Sequence, residues 1–314
     1  MPSSPASAGI WPAPATHLLL VSSQPTPNLT PALDPATRPR RAVLLQSPDM
    51  ARQAEALAAV LERRGVRVER WPIDDAWDLE HVQFRVLELL DAEREAAGGI
   101  ALNVTGGTKP MAIAAFDAFR AYGLPIYYVH PEQDRLTWMH PADWPNVALA
   151  NRVRLDDFLA VHGARLIARD EAVPSEQRQL ADWLVAQNTR IARALTTLNW
   201  LARNVEIARE GERGGAVRNE LDVACLAENR LYVIECKTAR PRADGSGGPG
   251  PEALYKLDTL RDLLGGLQAR AMLVSYAELP DHVLRRAADL RIQVCAGGRL
   301  PELARRLRDW IVPH

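Results

Sequence analysis

The sequence predicts an α/β protein of two domains: a Rossmann-like three-layer fold first, then a domain whose sheet is organised around a β-hairpin. Three observations lead there. The chain has 314 residues, enough for two separate cores. Strand and helix patterns alternate over residues 17–139, the signature of a parallel sheet covered by helices. Beyond residue 204, apolar residues recur with period two on both sides of Glu228-Asn229, a turn-prone pair.

In order, residues 17–23 read as a short apolar strand ending in a Pro-rich loop, and 41–46 as a second strand. Residues 48–64 form an amphipathic helix stopped by Gly65. A strand at 66–70, a helix at 79–97 and a strand at 99–104 follow. Thr105-Gly106-Gly107-Thr108 then leads into a helix that runs to Tyr122. Strands at 125–129 and 135–139 complete the first domain, placed at 16–141, with residues 1–15 as a disordered extension. Residues 142–174 connect the domains and include a short strand or helix at 153–159. The second domain, 175–314, opens with a helix at 175–197. It has strands at 204–209, 221–227, 231–237 and 269–274, and a helix at 252–264. The Gly-, Pro- and Ser-rich segment 240–251 reads as a flexible loop.

The hairpin carries the chemistry. With Glu228 and Asn229 as its loop, Ala227 faces Arg230 and the register continues outward. Asp222 then stands opposite Glu235 and Glu220 opposite Lys237, all four on one face. Opposed carboxylates repel, by up to about 1 kcal/mol; a divalent cation between them reverses that sign. Lys237 is placed to stabilise developing phosphoryl charge or to orient an attacking water. Any one of these residues alone would read as part of a solvated strand face carrying a salt bridge. The combination within apolar strands points to phosphodiester hydrolysis.

The first domain holds a second motif. Asn103-Val104-Thr105-Gly106-Gly107-Thr108-Lys109 lies where a strand hands over to a helix. Adjacent glycines permit a tight turn and close backbone approach to a ligand. The following helix N-terminus favours anions and accepts Pro110 in its first turn. Thr105 and Thr108 add hydroxyls and Lys109 a charge, so phosphate or a phosphorylated ring suits the loop. The G-x-x-x-x-G-K-[ST] spacing is absent, which argues against nucleoside-triphosphate hydrolysis. A tight turn with a capping threonine fits the same spacing.

Composition narrows the rest. Hydrophobic content of 47% and charged content of 25% are those of a globular protein. A net charge of −1 argues against duplex binding driven by bulk positive charge. Cys225, Cys236 and Cys295 are odd in number and form no C-x-x-C pair, so neither a disulfide framework nor a zinc site is indicated. The N-terminus lacks the basic and apolar regions of a signal peptide, and no apolar run spans a bilayer. A reducing cytoplasm is expected.

Asp222…Glu235-Cys236-Lys237 resembles the D…E-x-K signature of the PD-(D/E)XK nuclease superfamily. The wider stretch 219–238, with Gly265-Gly266 and Ala271-Met272-Leu273-Val274-Ser275, is similar to CRISPR-associated nucleases that carry an N-terminal CARF sensor domain. The resemblance runs from about His17 onward. It implies a CARF domain of Rossmann-like fold followed by a restriction-endonuclease-like domain, in a homodimer active in type III CRISPR antiviral defence. Residues 103–111 resemble the ligand loop of CARF domains, and Ser22 to Leu29 its companion after the first strand. By this match Gln24, Asn28, Ser47, Thr105, Gly106, Gly107, Thr108 and Lys109 contact a cyclic oligoadenylate, cyclic tetra-adenylate above other rings. Asp222 and Glu235, with the backbone carbonyl of Cys236, would hold Mg²⁺ or Mn²⁺. Lys237 would assist the nucleophile, and Glu220 would be an outer ligand or support. The substrate would be single-stranded DNA, RNA or both.

The chain departs from the family at Trp183-Leu184-Val185, where relatives carry a glutamate in place of Val185. Two other readings therefore stay open. One is a sensor or adaptor with an inactive nuclease domain. The other is an enzyme that degrades the ring in the first domain, although no histidine there is placed as a general base.

Overall fold

A computed structural model describes residues 14–93, 99–130, 133–150, 152–168, 198–210, 215–237 and 250–311. They form two compact units, Met1–Ala150 and Asn151–His314.

The first unit is built on strands β1 (Thr16–Leu20), β2 (Arg41–Gln46), β3 (Arg67–Pro72), β4 (Ile100–Asn103), β5 (Ile126–His130), β6 (Arg135–His140) and β7 (Val147–Ala148). Their order in the sheet is β3-β2-β1-β4-β5-β6-β7. The strands from β3 to β5 pair in parallel, and β6 and β7 add antiparallel. Helices α1 (Thr26–Leu33), α2 (Ala51–Arg63), α3 (Leu79–Ala92) and α4 (Lys109–Ala121) connect them. The unbroken apolar runs of β1 and β2 reflect burial on both faces, as parallel central strands require. Leu18, Leu20, Val43 and Leu45 pack on Val82, Val86 and Leu89 of α3 and on Met111, Ala115 and Phe119 of α4. The edge strand β3 exposes Arg67 and Arg70, charges that discourage pairing with another chain.

Helix α1 departs from the sequence expectation of a loop. Pro27 lies in its first turn, where no amide hydrogen is needed, but Pro31 lies inside it. Pro31 cannot donate to the carbonyl of Pro27, four residues earlier. That carbonyl instead accepts a hydrogen bond from Asn103 Nδ2 at 2.9 Å. A long-range contact thus compensates for the missing local one, which a local reading of two prolines does not anticipate.

The second unit has strands β8 (Ala164–Ala168), β9 (Leu198–Glu210), β10 (Ala216–Ala227), β11 (Arg230–Lys237), β12 (Ala269–Ser275) and β13 (Gln293–Ala296). Their order is β13-β12-β11-β10-β9-β8, antiparallel from β8 to β11 and parallel from β11 to β13. Its helices are α5 (Leu155–Val161), α6 (Pro251–Gly265), α7 (Asp281–Asp289) and α8 (Leu303–Ile311). One sheet face, with Val223, Ile234, Cys236, Met272, Val274 and Cys295, packs under Leu303 and Leu307 of α8. Neighbouring residues on each strand, Asp222 and Glu235 among them, therefore point to the other face.

The segment read as a connector is divided between the units. Residues 147–148 are β7 of the first sheet, while 155–161 and 164–168 are α5 and β8 of the second unit. Residues 153–159, read as strand or helix, contribute to α5. The expected helix at 175–197, Val185 and most of the loop at 240–251 lie outside the described residues. The sequence patterns identified no element after residue 275; β13, α7 and α8 are short, and only tertiary packing separates them from surface turns.

Candidate functional site

The hairpin turn is the one the sequence implies. Glu228 and Asn229 both take positive φ, 48° and 55°, and Ala227 pairs with Arg230. Two successive left-handed residues match the twist of the flanking strands. The β10–β11 ladder continues to Val223 opposite Ile234 and ends there, one step short of the two acids. In its place, Cys236 N–H donates to Asp222 Oδ2 at 2.6 Å. A backbone amide thus engages one acid, which eases the repulsion that direct opposition would impose.

Asp222 and Glu235 are each only 4% exposed. Lys237 Nζ donates to Glu235 Oε1 at 2.5 Å. Burial favours the neutral amine of Lys237, but the hydrogen bond and charge of Glu235, reinforced by Asp222, outweigh it and raise its pKa above the ordinary lysine value. Lys237 is thus held against Glu235 by hydrogen bond and charge together. The Cys236 thiol is pushed well above its usual pKa by burial and then by the charges of Asp222 and Glu235. It lies in the core under α8, so only its backbone belongs to the candidate site.

Glu220 is not brought into this group. It is exposed, pairs across the β9–β10 ladder with Glu206, and makes no ion pair among the described residues. Two residues outside the sequence-derived set do join it. Lys256 Nζ, from α6, lies 3.8 Å from Glu235 Oε1. Ser275, paired in register with Lys237, is fully buried, and its Oγ has no hydrogen-bond partner among the described residues. Sequence position marks Lys256 as a lysine on the helix after the 240–251 loop that could reach a phosphate but reads more readily as solvated, and marks Ser275 only as the end of the family-like stretch 271–275.

The donor chemistry fits a hard divalent cation. Among the described residues no three His, Cys, Asp or Glu side chains cluster, so the ligands would be two carboxylates completed by backbone oxygen and water. Mg²⁺ and Mn²⁺ accept that set, since Mg²⁺ commonly binds through one or two carboxylates and keeps several waters.

The first unit places its loop at the switch point of the sheet. β1 and β4 are neighbours whose following helices depart in opposite directions along the strand order, leaving a crevice at their carboxyl ends. Asn103, fully buried at the end of β4, organises it. Its Nδ2 donates to Pro27 O and to Asn28 Oδ1, both at 2.9 Å, and its Oδ1 accepts from Thr105 N and Oγ1. Asn28 Nδ2 donates to Leu20 O at 2.8 Å. Thr105 Oγ1 also accepts from Val129 N at 2.8 Å, and Thr108 Oγ1 caps α4 at Met111 N while donating to Ala76 O. A Cβ on Gly106 would stand 2.1 Å from Leu20 O, and Gly107 has φ +73° with Leu20 packed against it. Asn28, Thr105 and Thr108 are thus buried or half-buried braces of the loop.

Lys109, in contrast, is exposed at the first position of α4. Ser47 is buried at the end of β2. Gln24 Oε1, Thr26 Oγ1 and Gln46 Oε1 are buried with no hydrogen-bond partner among the described residues. Thr26 and Gln46 did not stand out in the sequence, because a lone Thr or Gln carries no pattern. Among the described residues no helix is long and apolar enough to cross a membrane.

Two family models match the chain: a Card1 CARF domain over residues 16–158 and a Card1-like endonuclease domain over 175–313. Among solved structures, protein VC1899 from Vibrio cholerae is similar, with TM-score 0.84 and 23% identity over 94% of this chain and 97% of that one. Can2 from Sulfobacillus thermosulfidooxidans, solved with cyclic tetra-adenylate, has TM-score 0.80 and 23% identity over 94% of this chain and 99% of that one. A type III CRISPR defence DNA nuclease activated by cyclic oligoadenylate has TM-score 0.66 and 21% identity, covering 95% of this chain and 52% of that one. Comparison with the curated proteins finds no match. The parallel sheet with a braced glycine loop and the hairpin with its buried acids are the two halves of one architecture, and the chain belongs to the Card1-like family, a CARF domain followed by an endonuclease domain.

Proposed function

We propose that this chain is a divalent-metal-dependent endonuclease of type III CRISPR defence, switched on by a cyclic oligoadenylate bound in its first domain. The observation that carries the catalytic half is the pair of buried acids, Asp222 and Glu235, with the Lys237 ammonium hydrogen-bonded to Glu235 on the same sheet face. Asp222 and Glu235 would hold Mg²⁺ or Mn²⁺ together with the Cys236 carbonyl. The cation, when bound, polarises the scissile phosphate and acidifies a water. Lys237 faces the phosphoryl oxygens and offsets the charge they gain as the phosphorus–oxygen bond breaks. Lys256 adds a second positive charge beside Glu235.

The sensor half rests on the glycine loop at the N-terminus of α4, with exposed Lys109 and the buried, unpartnered oxygens of Gln24, Thr26 and Gln46 at the carboxyl edge of the same sheet. Backbone amides and Lys109 suit phosphates, and the side-chain oxygens suit ring donors. Cyclic tetra-adenylate is the favoured ring, because Can2 was solved with it. A symmetric ring fits an isologous homodimer. Trp77, Phe84 of α3 and Ile113 of α4 are exposed by 72%, 60% and 52%, apolar surface of the kind such an interface covers. The ring activates only through preferential affinity for the active form; about 5.5 kcal/mol of preference shifts it from 1% to 99%.

The test is to incubate the protein with cyclic oligoadenylates of different size, Mn²⁺ and labelled single-stranded DNA or RNA, following ring and strand together. Strand cleavage that requires a ring, with the ring left intact, is the expected result. Consumption of the ring without strand cleavage would reassign the activity to the first domain, and cleavage indifferent to every ring would remove the sensor.

A further inference from the structure

We propose that the endonuclease unit carries a second ligand site, for a nucleoside monophosphate, on the sheet face opposite Asp222 and Glu235. A cavity of about 430 Å³ is lined by the first residues of β11, β12 and β13 and by α8. Its size is that of a small-molecule site. Register fixes its side of the sheet: Tyr232 pairs with Arg270 and Ile234 with Met272, and these share the face covered by α8. The cavity opens on that face from Arg230 to Met272, whereas Asp222 and Glu235 point to the other face of the sheet. The cavity is therefore separate from the metal-binding edge.

Its lining is chemically uneven. Arg230, Arg270, Arg305 and Arg306 line it with one carboxylate residue, Asp309, and Arg230 also lies 3.9 Å from Glu228. Arg230 is 3% exposed and hydrogen-bonds the Tyr232 side chain, so its fork is held in place. Arg270 is exposed and forms no ion pair among the described residues. Arg305 and Arg306 share Glu302, and Arg305 also lies 3.7 Å from Asp309; both acids are exposed partners that a phosphate dianion can replace at little cost. Several guanidinium forks converging on one space match the bidentate geometry of phosphate oxygens.

Phosphate alone would not need the rest of the wall. Trp310, half-buried, lines the cavity and stands edge to face on the fully buried Tyr232, with centroids 5.0 Å apart at 84°. An aromatic wall beside an arginine cluster is the pairing that holds a base and its phosphate together. The shared chemistry is a nucleoside carrying a phosphate ester, either free or as the phosphorylated end of a strand.

Calorimetry on the full chain in EDTA, with AMP, inorganic phosphate and a 5′-phosphorylated oligothymidylate as probes, tests this. AMP should bind, and Arg270→Ala should weaken it at least tenfold without lowering Tm, whereas Arg270→Lys should recover part of the affinity. Trp310→Ala should weaken AMP and leave phosphate unchanged. Binding should persist in Glu235→Ala and in Lys109→Ala. Stronger, Arg270-dependent binding of the oligonucleotide than of AMP would assign the cavity to a strand end, and the reverse order to a free nucleotide. AMP binding that survives Arg270→Ala, or that disappears in Glu235→Ala or Lys109→Ala, would overturn the site. Phosphate binding as tightly as AMP would overturn the nucleoside assignment.

Discussion

In the first unit the loop after β4 directs its polar side chains inward, whereas in the second the strand pair gathers three charged side chains, Asp222, Glu235 and Lys237, on one face. Asn28, Asn103, Thr105 and Thr108 bond to Leu20, Pro27, Ala76 and Val129 or to one another. Their removal would loosen the crevice before it changed any ligand contact. Asp222, Glu235 and Lys237 bond chiefly within their own short motif, and two buried carboxylates are an arrangement that packing alone disfavours. Asn103 spends its polar atoms on distant groups of its own fold, whereas Glu235 and Lys237 are partners of each other.

The sharpest way to break this contrast is in the second unit. Glu235→Ala and Lys237→Ala should each lower metal-dependent strand cleavage at least about 100-fold, the scale of losing a transition-state stabiliser. Ring affinity should stay close to that of the unchanged protein in both. Glu235→Ala, which removes a buried carboxylate, should hold or raise Tm, and Lys237→Ala, which leaves Glu235 buried beside Asp222, should lower it. Near-normal cleavage by either variant, measured with labelled single strands and Mn²⁺, would return these residues to an ordinary salt-bridged strand face.

The first unit should respond in the opposite sense, in stability more than in chemistry. Asn103→Ala strands the Pro27 carbonyl, Asn28 Oδ1 and the Thr105 amide, at a cost of about 1–3 kcal/mol for the buried groups left unpaired. Gly106→Ala drives a methyl against the Leu20 carbonyl oxygen, with a similar cost of about 1–3 kcal/mol from backbone displacement. Lys109→Ala, at an exposed position, should leave the denaturant midpoint unchanged and weaken only the ring. Equal midpoints for Asn103→Ala and the unchanged protein would show that the network braces nothing.

The hairpin was legible because its information is local: period two, a two-residue turn and a register that follows by counting. The same counting went one step too far, since it continued the ladder to Asp222 and Glu235 and on to Glu220 and Lys237. It carried no account of the Asp222 side chain taking the Cys236 amide beyond Val223 and Ile234. The crevice was legible only in outline. Gly106 and Gly107 marked the turn, but their closest constraint is Leu20, more than eighty residues earlier, and the helix containing Pro31 depends on Asn103. Lys256 comes to Glu235, and Ser275 to a place beside Lys237, through the β11–α6–β12 connection, which no spacing rule within the motif reveals.

The smallest effect compares two histidines that neither site uses, one buried in the first unit and one half-buried in the second. His17 is fully buried in β1 with Nδ1 2.9 Å from the Tyr127 hydroxyl, and burial lowers its pKa to about 3. His162, just after α5, is stacked on Phe158 and hydrogen-bonded through Nδ1 to the Phe158 carbonyl. Burial, aided by the charge of Arg209 and opposed by that hydrogen bond, lowers its pKa to about 4. The unfolded chain takes up a proton on each imidazole near pH 6.5, which the folded form refuses until about pH 3 or 4. Between those limits the unfolded state binds more protons, so stability falls as pH falls, by up to about 1.4 kcal/mol per pH unit for each histidine. Above pH 6.5 both are neutral in either state and the contribution is flat. Urea unfolding at pH 7 and pH 5 should show this loss, and His162→Gln should reduce it while leaving the share from His17. A loss between pH 7 and pH 5 that is unchanged in His162→Gln would mean that the folded second unit accepts the proton, and that His162 is not held neutral.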